Sequence, residues 1–158
     1  MPRISDQWLL HGAALFQVVT STQRVVLAHR KDLHDSLFVA EAVAGRAAGF
    51  LLKHSTNAGR SWQFTFTEAE LQALERCRKE LAGGNCFLTL VCKQDGVCCL
   101  SDEELIGILA PRDPSAAMFV RVSRPHGGSY RVVGPKRNRL ATTVRANDWP
   151  ARLFQRMR

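Results

Sequence analysis

The chain has 158 residues, about one domain's length, and a chain of that size buries roughly two-thirds of the surface its unfolded form exposes. Hydrophobic residues make up 46% and charged residues 23%, values that exclude a disordered segment and a scaffold dependent on staples. The net charge of +8 is unevenly spread: residues 119–158 hold ten Lys and Arg against the single acid Asp148, a net +9, so the remainder sums to −1.

A nearly neutral body with a basic end is a polarised field that attracts polyanions. Nine of the ten cations are Arg, whose planar fork matches phosphate better than Lys does. A solvated, solubilising surface is the plain alternative. Apolar runs stop well short of the ~18 residues of a membrane span, and Met1 to Asp6 lacks an apolar signal core. A cytoplasmic protein with no membrane partner is the expectation. The five cysteines, Cys77, Cys86, Cys92, Cys98 and Cys99, are odd in number and form no CxxC pair, which predicts reduced thiols serving as small hydrophobes.

In chain order, Ser5 caps a first helix over 6–19. Trp8, Leu15 and Val19 form one stripe of it, with Leu9, Ala13 and Phe16 beside, a width that predicts heavy burial. Gly12 inside this helix costs about 1 kcal/mol against alanine, so it predicts a close packing contact. Residues 24–29 read as a short strand. The stretch 31–48 is ambiguous: Leu37, Phe38 and Val39 favour strand, whereas 40–48 suits a helix. Residues 49–55 and 62–67 read as strands joined by a turn-rich segment, hence a hairpin. Trp62, Phe64 and Phe66 alternate with Gln63, Thr65 and Thr67, the period of a half-buried strand.

Thr67 and Glu70 then form a capping box. The helix it opens carries Leu71, Leu74, Arg78 and Leu81 on one stripe and stops at Gly83 and Gly84. Residues 86–92 and 97–100 are strands joined through Asp95 and Gly96, a hairpin signal. Ser101 and Glu104 open a short helix to Leu109, ended by Pro111 and Pro114. The basic third reads as three strands, over 118–123, 130–133 and 140–145. The predicted fold class is α+β: a mixed, largely antiparallel sheet with a helix-strand-strand-strand-helix-strand core. It is one domain over 1–158, with a mixed core over 1–110 and a basic, β-rich extension over 111–158.

That element order over about 6–92 resembles the core of PD-(D/E)XK nucleases, the restriction-endonuclease and Holliday-junction-resolvase superfamily. The runs Phe50 to Thr56, Trp62 to Thr67 and Leu90 to Cys92 also look like small bacterial proteins. The nuclease resemblance implies two acids and a lysine on central strands, with the acids holding magnesium to activate water and the lysine offsetting phosphate charge. Lys53 fits the lysine. Leu51 stands where the nearby acid belongs, and an aliphatic side chain ligates no metal. Glu41 and Asp35 are the nearest upstream acids. Gln63 is expected on the same hairpin face as Lys53, making Glu41, Lys53 and Gln63 the candidate catalytic residues and Glu41 the metal ligand. A solvent-facing hairpin side and a non-cleaving remnant are the other readings of the same residues.

The five histidines, His11, His29, His34, His54 and His126, show no HxxxH spacing, and no nucleophile elbow or Gly-rich phosphate loop is present. Function is therefore read as a nucleic-acid-associated domain on a nuclease-like core, with or without cleavage. The proposed phosphate contacts are Arg121, Arg124, Arg131, Lys136, Arg137, Arg139 and Arg145. The alternative is an immunity or accessory subunit that docks on an acidic protein partner.

Overall fold

A computed structural model describes residues 3–81, 85–113 and 115–155. Its elements in chain order are α1 (Asp6–Val19), β1 (Val25–His29), β2 (Leu37–Ala42), β3 (Ala47–Ser55), β4 (Ser61–Thr65), α2 (Glu68–Glu80), β5 (Cys86–Cys92), β6 (Gly96–Ser101), α3 (Asp102–Leu109), β7 (Phe119–Ser123), β8 (Arg131–Val133), a 3-10 turn (Pro135–Arg137) and α4 (Ala151–Gln155). The predicted helix stop at Gly83 and Gly84, the Pro114 break, and Arg156 and Arg158 of the basic tail lie outside the described residues.

The class is α+β. A five-stranded sheet runs β1-β2-β3-β5-β6, and a second sheet runs β4-β7-β8. Only β3 and β5 are parallel; the other pairs are antiparallel. β3 and β5 are central strands, apolar in continuous runs because both faces are covered. One face, carrying Leu37, Leu51, Leu88, Leu90 and Leu100, packs against Leu74 of α2, Leu105 of α3 and the inner side of the small sheet. The opposite face, with Phe50, Leu52, Phe87 and Cys99, is covered by Ala14 and Val18 of α1 and by Trp149, Leu153 and Phe154 at the C-terminal end. No helix among the described residues is long and apolar enough to cross a membrane.

Several expectations are corrected. The ambiguous stretch resolves as β2 and a tight turn to β3, with Gly45 at φ 81°, where glycine carries no Cβ penalty. Strands β3 and β4 are not a hairpin. They diverge into separate sheets, β3 pairing with β2 and β5 while β4 pairs with β7. Between α1 and α2 the chain runs through four strands, one more than expected, and β2, not 62–67, is the antiparallel partner of β3. Because β4 joins β7 and β8, the basic third shares a core with the preceding residues instead of hanging from them. Its third expected strand is reduced to two bridges, Tyr130 to Val144 and Val133 to Arg139, and α4 ends the described chain.

Most of the α1 face predicted to be buried is exposed: Trp8, Leu9, Phe16 and Val19 face solvent, Leu15 packs partly against the core, and His11, Ala14 and Val18 face the sheet. A Cβ at Gly12 would meet nothing within 4 Å, so the glycine makes no close contact among the described residues. Both capping boxes form: Thr67 with Glu70 on α2, and Ser101 with Glu104 on α3. The alternation in β4 also holds, with Trp62 and Phe64 buried and Ser61, Gln63 and Thr65 outward.

Candidate nucleic-acid interface

Alternation on β4 sends Gln63 outward, and the ladder carries that outward face across the small sheet. Gln63 stands opposite Arg121, and Arg121 opposite Val133. Ser123 stands opposite Arg131, and Val133 bridges to Arg139. Directly paired residues share a face, so Arg121, Arg131 and Arg139 surround Val133 on one side of the sheet. Arg131 is diagonal to both neighbours, and diagonal Cα atoms in such ladders lie about 7–8 Å apart. All three are exposed. Arg121 donates to the Gln63 side-chain oxygen at 3.1 Å. Among the described residues, no carboxylate pairs with any of the three.

The remaining cations of the tail divide by environment. Arg124 is committed internally: it pairs with Asp95 at 3.1 Å, donates Nε to the Gly128 carbonyl at 2.7 Å and lies over the Tyr130 ring. The Asp95 hydrogen bond raises its already high pKa. A phosphate at Arg124 would have to compete with these internal contacts. Arg152 is likewise held by Glu104 and the Cys99 carbonyl, each at 2.7 Å. Lys136 and Arg137 are exposed on a turn with positive φ of 54° and 63°, a sparsely populated region for non-glycine residues. Asn138 holds that turn by donating to the Ile108 and Ala110 carbonyls. Arg145 is exposed, and its backbone amide donates to Asp148 at 3.2 Å.

Lys53 lies elsewhere. It projects from β3 toward α2, over the Phe66 ring, with Nζ 2.7 and 2.9 Å from the Glu70 carboxylate oxygens. The polar cleft around it is lined by Gln7, His11, Ser36, His54 and Glu70. His11 and His54 meet with ring nitrogens 3.2 Å apart, one donating and the other accepting. Burial, the neighbouring His54 and the Lys53 charge push His11 down to about 4. Burial also lowers His54. Neither helical nor strand spacing signals this histidine pair, because α1 meets β3 only through tertiary packing.

The expected catalytic cluster does not assemble. Gln63 sits on the outer face of the other sheet. Glu41 stands opposite Ala47 at the far end of β3 from Lys53, and those six strand positions span about 20 Å at ~3.3 Å each. The paired register begins at Leu37 opposite Leu51, so Asp35 lies in the turn before β2. With Leu51 buried in the core, Glu41 distant and Lys53 already paired with Glu70, the expected residues do not fit a magnesium ion. No group of three or more His, Cys, Asp or Glu suited to a metal occurs among the described residues. The cysteines are buried and unpaired, and burial raises the Cys92, Cys98 and Cys99 thiols, the direction that suppresses thiolate chemistry.

No family model, no curated protein and no solved structure matches the chain.

Proposed function

We propose that this chain binds nucleic acid through the outer face of the β4-β7-β8 sheet, on a nuclease-like core whose Lys53 cleft does not cleave. The observation that carries the reading is the grouping of Arg121, Arg131 and Arg139 on one exposed face without a carboxylate partner. Guanidinium groups with no carboxylate to give up can offer their planar forks to phosphate, and Gln63 adds a neutral hydrogen-bonding group. Lys136, Arg137 and Arg145 extend the positive field in the same third of the chain. At Lys53, the neutralising Glu70 and the lack of a metal-fitting acid set support binding over cleavage.

The test is binding of labelled duplex, branched and single-stranded DNA across a salt series. Each neutralised phosphate releases counterions, so three Arg contacts predict a log–log slope of about −3 on duplex. A flat salt response, or no binding to any form at low salt, overturns the proposal; the latter with capture of an acidic protein instead would favour the docking-module reading. The same DNAs incubated with magnesium or manganese should stay intact, and metal-dependent nicking abolished by Lys53→Ala would restore an active site.

A further inference from the structure

The outward face of α1 is an apolar feature that the binding reading leaves unused. Trp8, Leu9, Phe16 and Val19 are 58%, 56%, 65% and 57% exposed, with Ile4 at 63% just before the helix. At 100° per residue the four helical residues lie within about 60° of Gly12 around the axis. No Lys, Arg, Asp or Glu falls between Asp6 and Arg24 to wet this surface. At about 200 Å² of full exposure per large side chain, these fractions leave about 600 Å² of surface, the top of the range for the largest patch of an ordinary monomer.

The pattern is self-complementary. Gly12 sits at the centre, with Trp8 four residues before it and Phe16 four residues after. A two-fold axis through Gly12 lays two α1 helices antiparallel. It puts Gly12 against Gly12, where missing side chains allow close approach, and sets Trp8 of each copy level with Phe16 of the other on the opposite side of the seam. Antiparallel helices also oppose their macrodipoles favourably. A pair would remove about 1,200 Å², the lower bound of specific stable interfaces. The open space at Gly12 completes the case: a mid-helix glycine costs stability, and nothing among the described residues requires it.

We infer that α1 is a homodimer interface, an isologous antiparallel helix pair centred on Gly12. It does not rest on the nucleic-acid reading, because its contacts are apolar and its strength should be insensitive to salt. Sedimentation equilibrium of the full chain over a concentration series tests it. The wild type should dimerise, equally at low and high salt. Phe16→Glu should weaken the dimer roughly thirtyfold or more, as loss of a central anchor does. Gly12→Leu is the sharper variant: its side chain has free space in the monomer and favours helix, so melting should hold or rise while the dimer is lost. A wild-type monomer at every concentration overturns the inference, as does a dimer unchanged in both variants. A monomer that floats with lipid vesicles would identify a membrane surface as the occupant and equally overturn it.

Discussion

Lys53 Nζ lies 2.7 and 2.9 Å from the two carboxylate oxygens of Glu70, and that carboxylate also accepts the Thr67 amide at 3.0 Å. One side chain thus caps α2 and neutralises the lysine of β3. Both partners are largely buried, at 17% and 12% side-chain exposure. Glu70→Ala should cost about 2–3 kcal/mol in urea unfolding, about 1 from the cap and the rest from leaving Lys53 unpaired. Glu70→Gln retains a capping-box side chain and should cost less. Equal costs for the two substitutions would show that the cap contributes nothing, and a costless Glu70→Gln would show the same of the ion pair.

The histidine pair makes a pH prediction. His11 has an ordinary value of 6.5 and is held down to about 4, by burial first and then by His54 and Lys53. His54 is lowered mainly by burial, with Asp6 opposing. Above pH 6.5 both states of His11 are neutral, so it adds no pH dependence. Between 6.5 and 4 the unfolded chain takes up a proton that the folded chain refuses, so stability falls with pH. His11 alone should account for about 3 kcal/mol of loss by pH 4, after which its contribution is flat. His11→Leu should flatten that part of the curve. Parallel wild-type and variant curves from pH 7 to 4 would contradict the buried neutral imidazole.

Two positions in the five-stranded sheet predict opposite effects. Thr89 is fully buried on β5, and its hydroxyl has no hydrogen-bond partner among the described residues. Thr89→Val keeps the shape and removes a desolvated polar group, so it should stabilise by about 1–2 kcal/mol. At Gly49 on β3, a Cβ would collide with the Cys77 sulfur and press on Leu81 and Cys86. Gly49→Ala should therefore cost about 1–3 kcal/mol by overpacking. Denaturant melts decide both; a destabilised Thr89→Val would mean that a partner for the hydroxyl exists.

Local signals were legible and partners were not. Thr67 with Glu70, and Ser101 with Glu104, are recognisable as capping boxes because each is closed within three residues. The faces of β4 were legible because alternation needs only the strand itself. Which strand β4 joins depends on a partner some sixty residues on, so its apparent hairpin with β3 was an error of pairing, not of structure type. The continuous apolar run of β3 did carry a usable signal, since a strand buried on both faces belongs in a sheet centre. Counting charge located the basic third, yet Arg124 and Arg152 are spent on Asp95 and Glu104, acids far away in sequence. For α1, an apolar width was read as burial, whereas a small Ala14 and Val18 strip suffices to seat the helix.

That division among the arginines gives the most discriminating prediction. Arg121, Arg131 and Arg139 share the outer face of the small sheet and lack carboxylate partners among the described residues, so each alanine substitution should leave stability within about 0.5 kcal/mol. Each should also weaken DNA binding uniformly across sequences and reduce the salt slope by about 1. Arg124 predicts the reverse. Its removal frees Asp95, which among the described residues then keeps the Tyr130 hydroxyl at 2.9 Å, and strips the cation from the Tyr130 ring. Arg124→Ala should cost about 1–2 kcal/mol in unfolding, the range for a charged hydrogen bond that is partly exposed, while the salt slope stays unchanged. Anisotropy titrations at several salt concentrations, paired with urea melts of the same four variants, separate the two sets. If Arg124→Ala alters the slope as much as Arg131→Ala, binding follows total charge and not the outer face of the sheet. If none of the four alters it, the contact surface lies elsewhere.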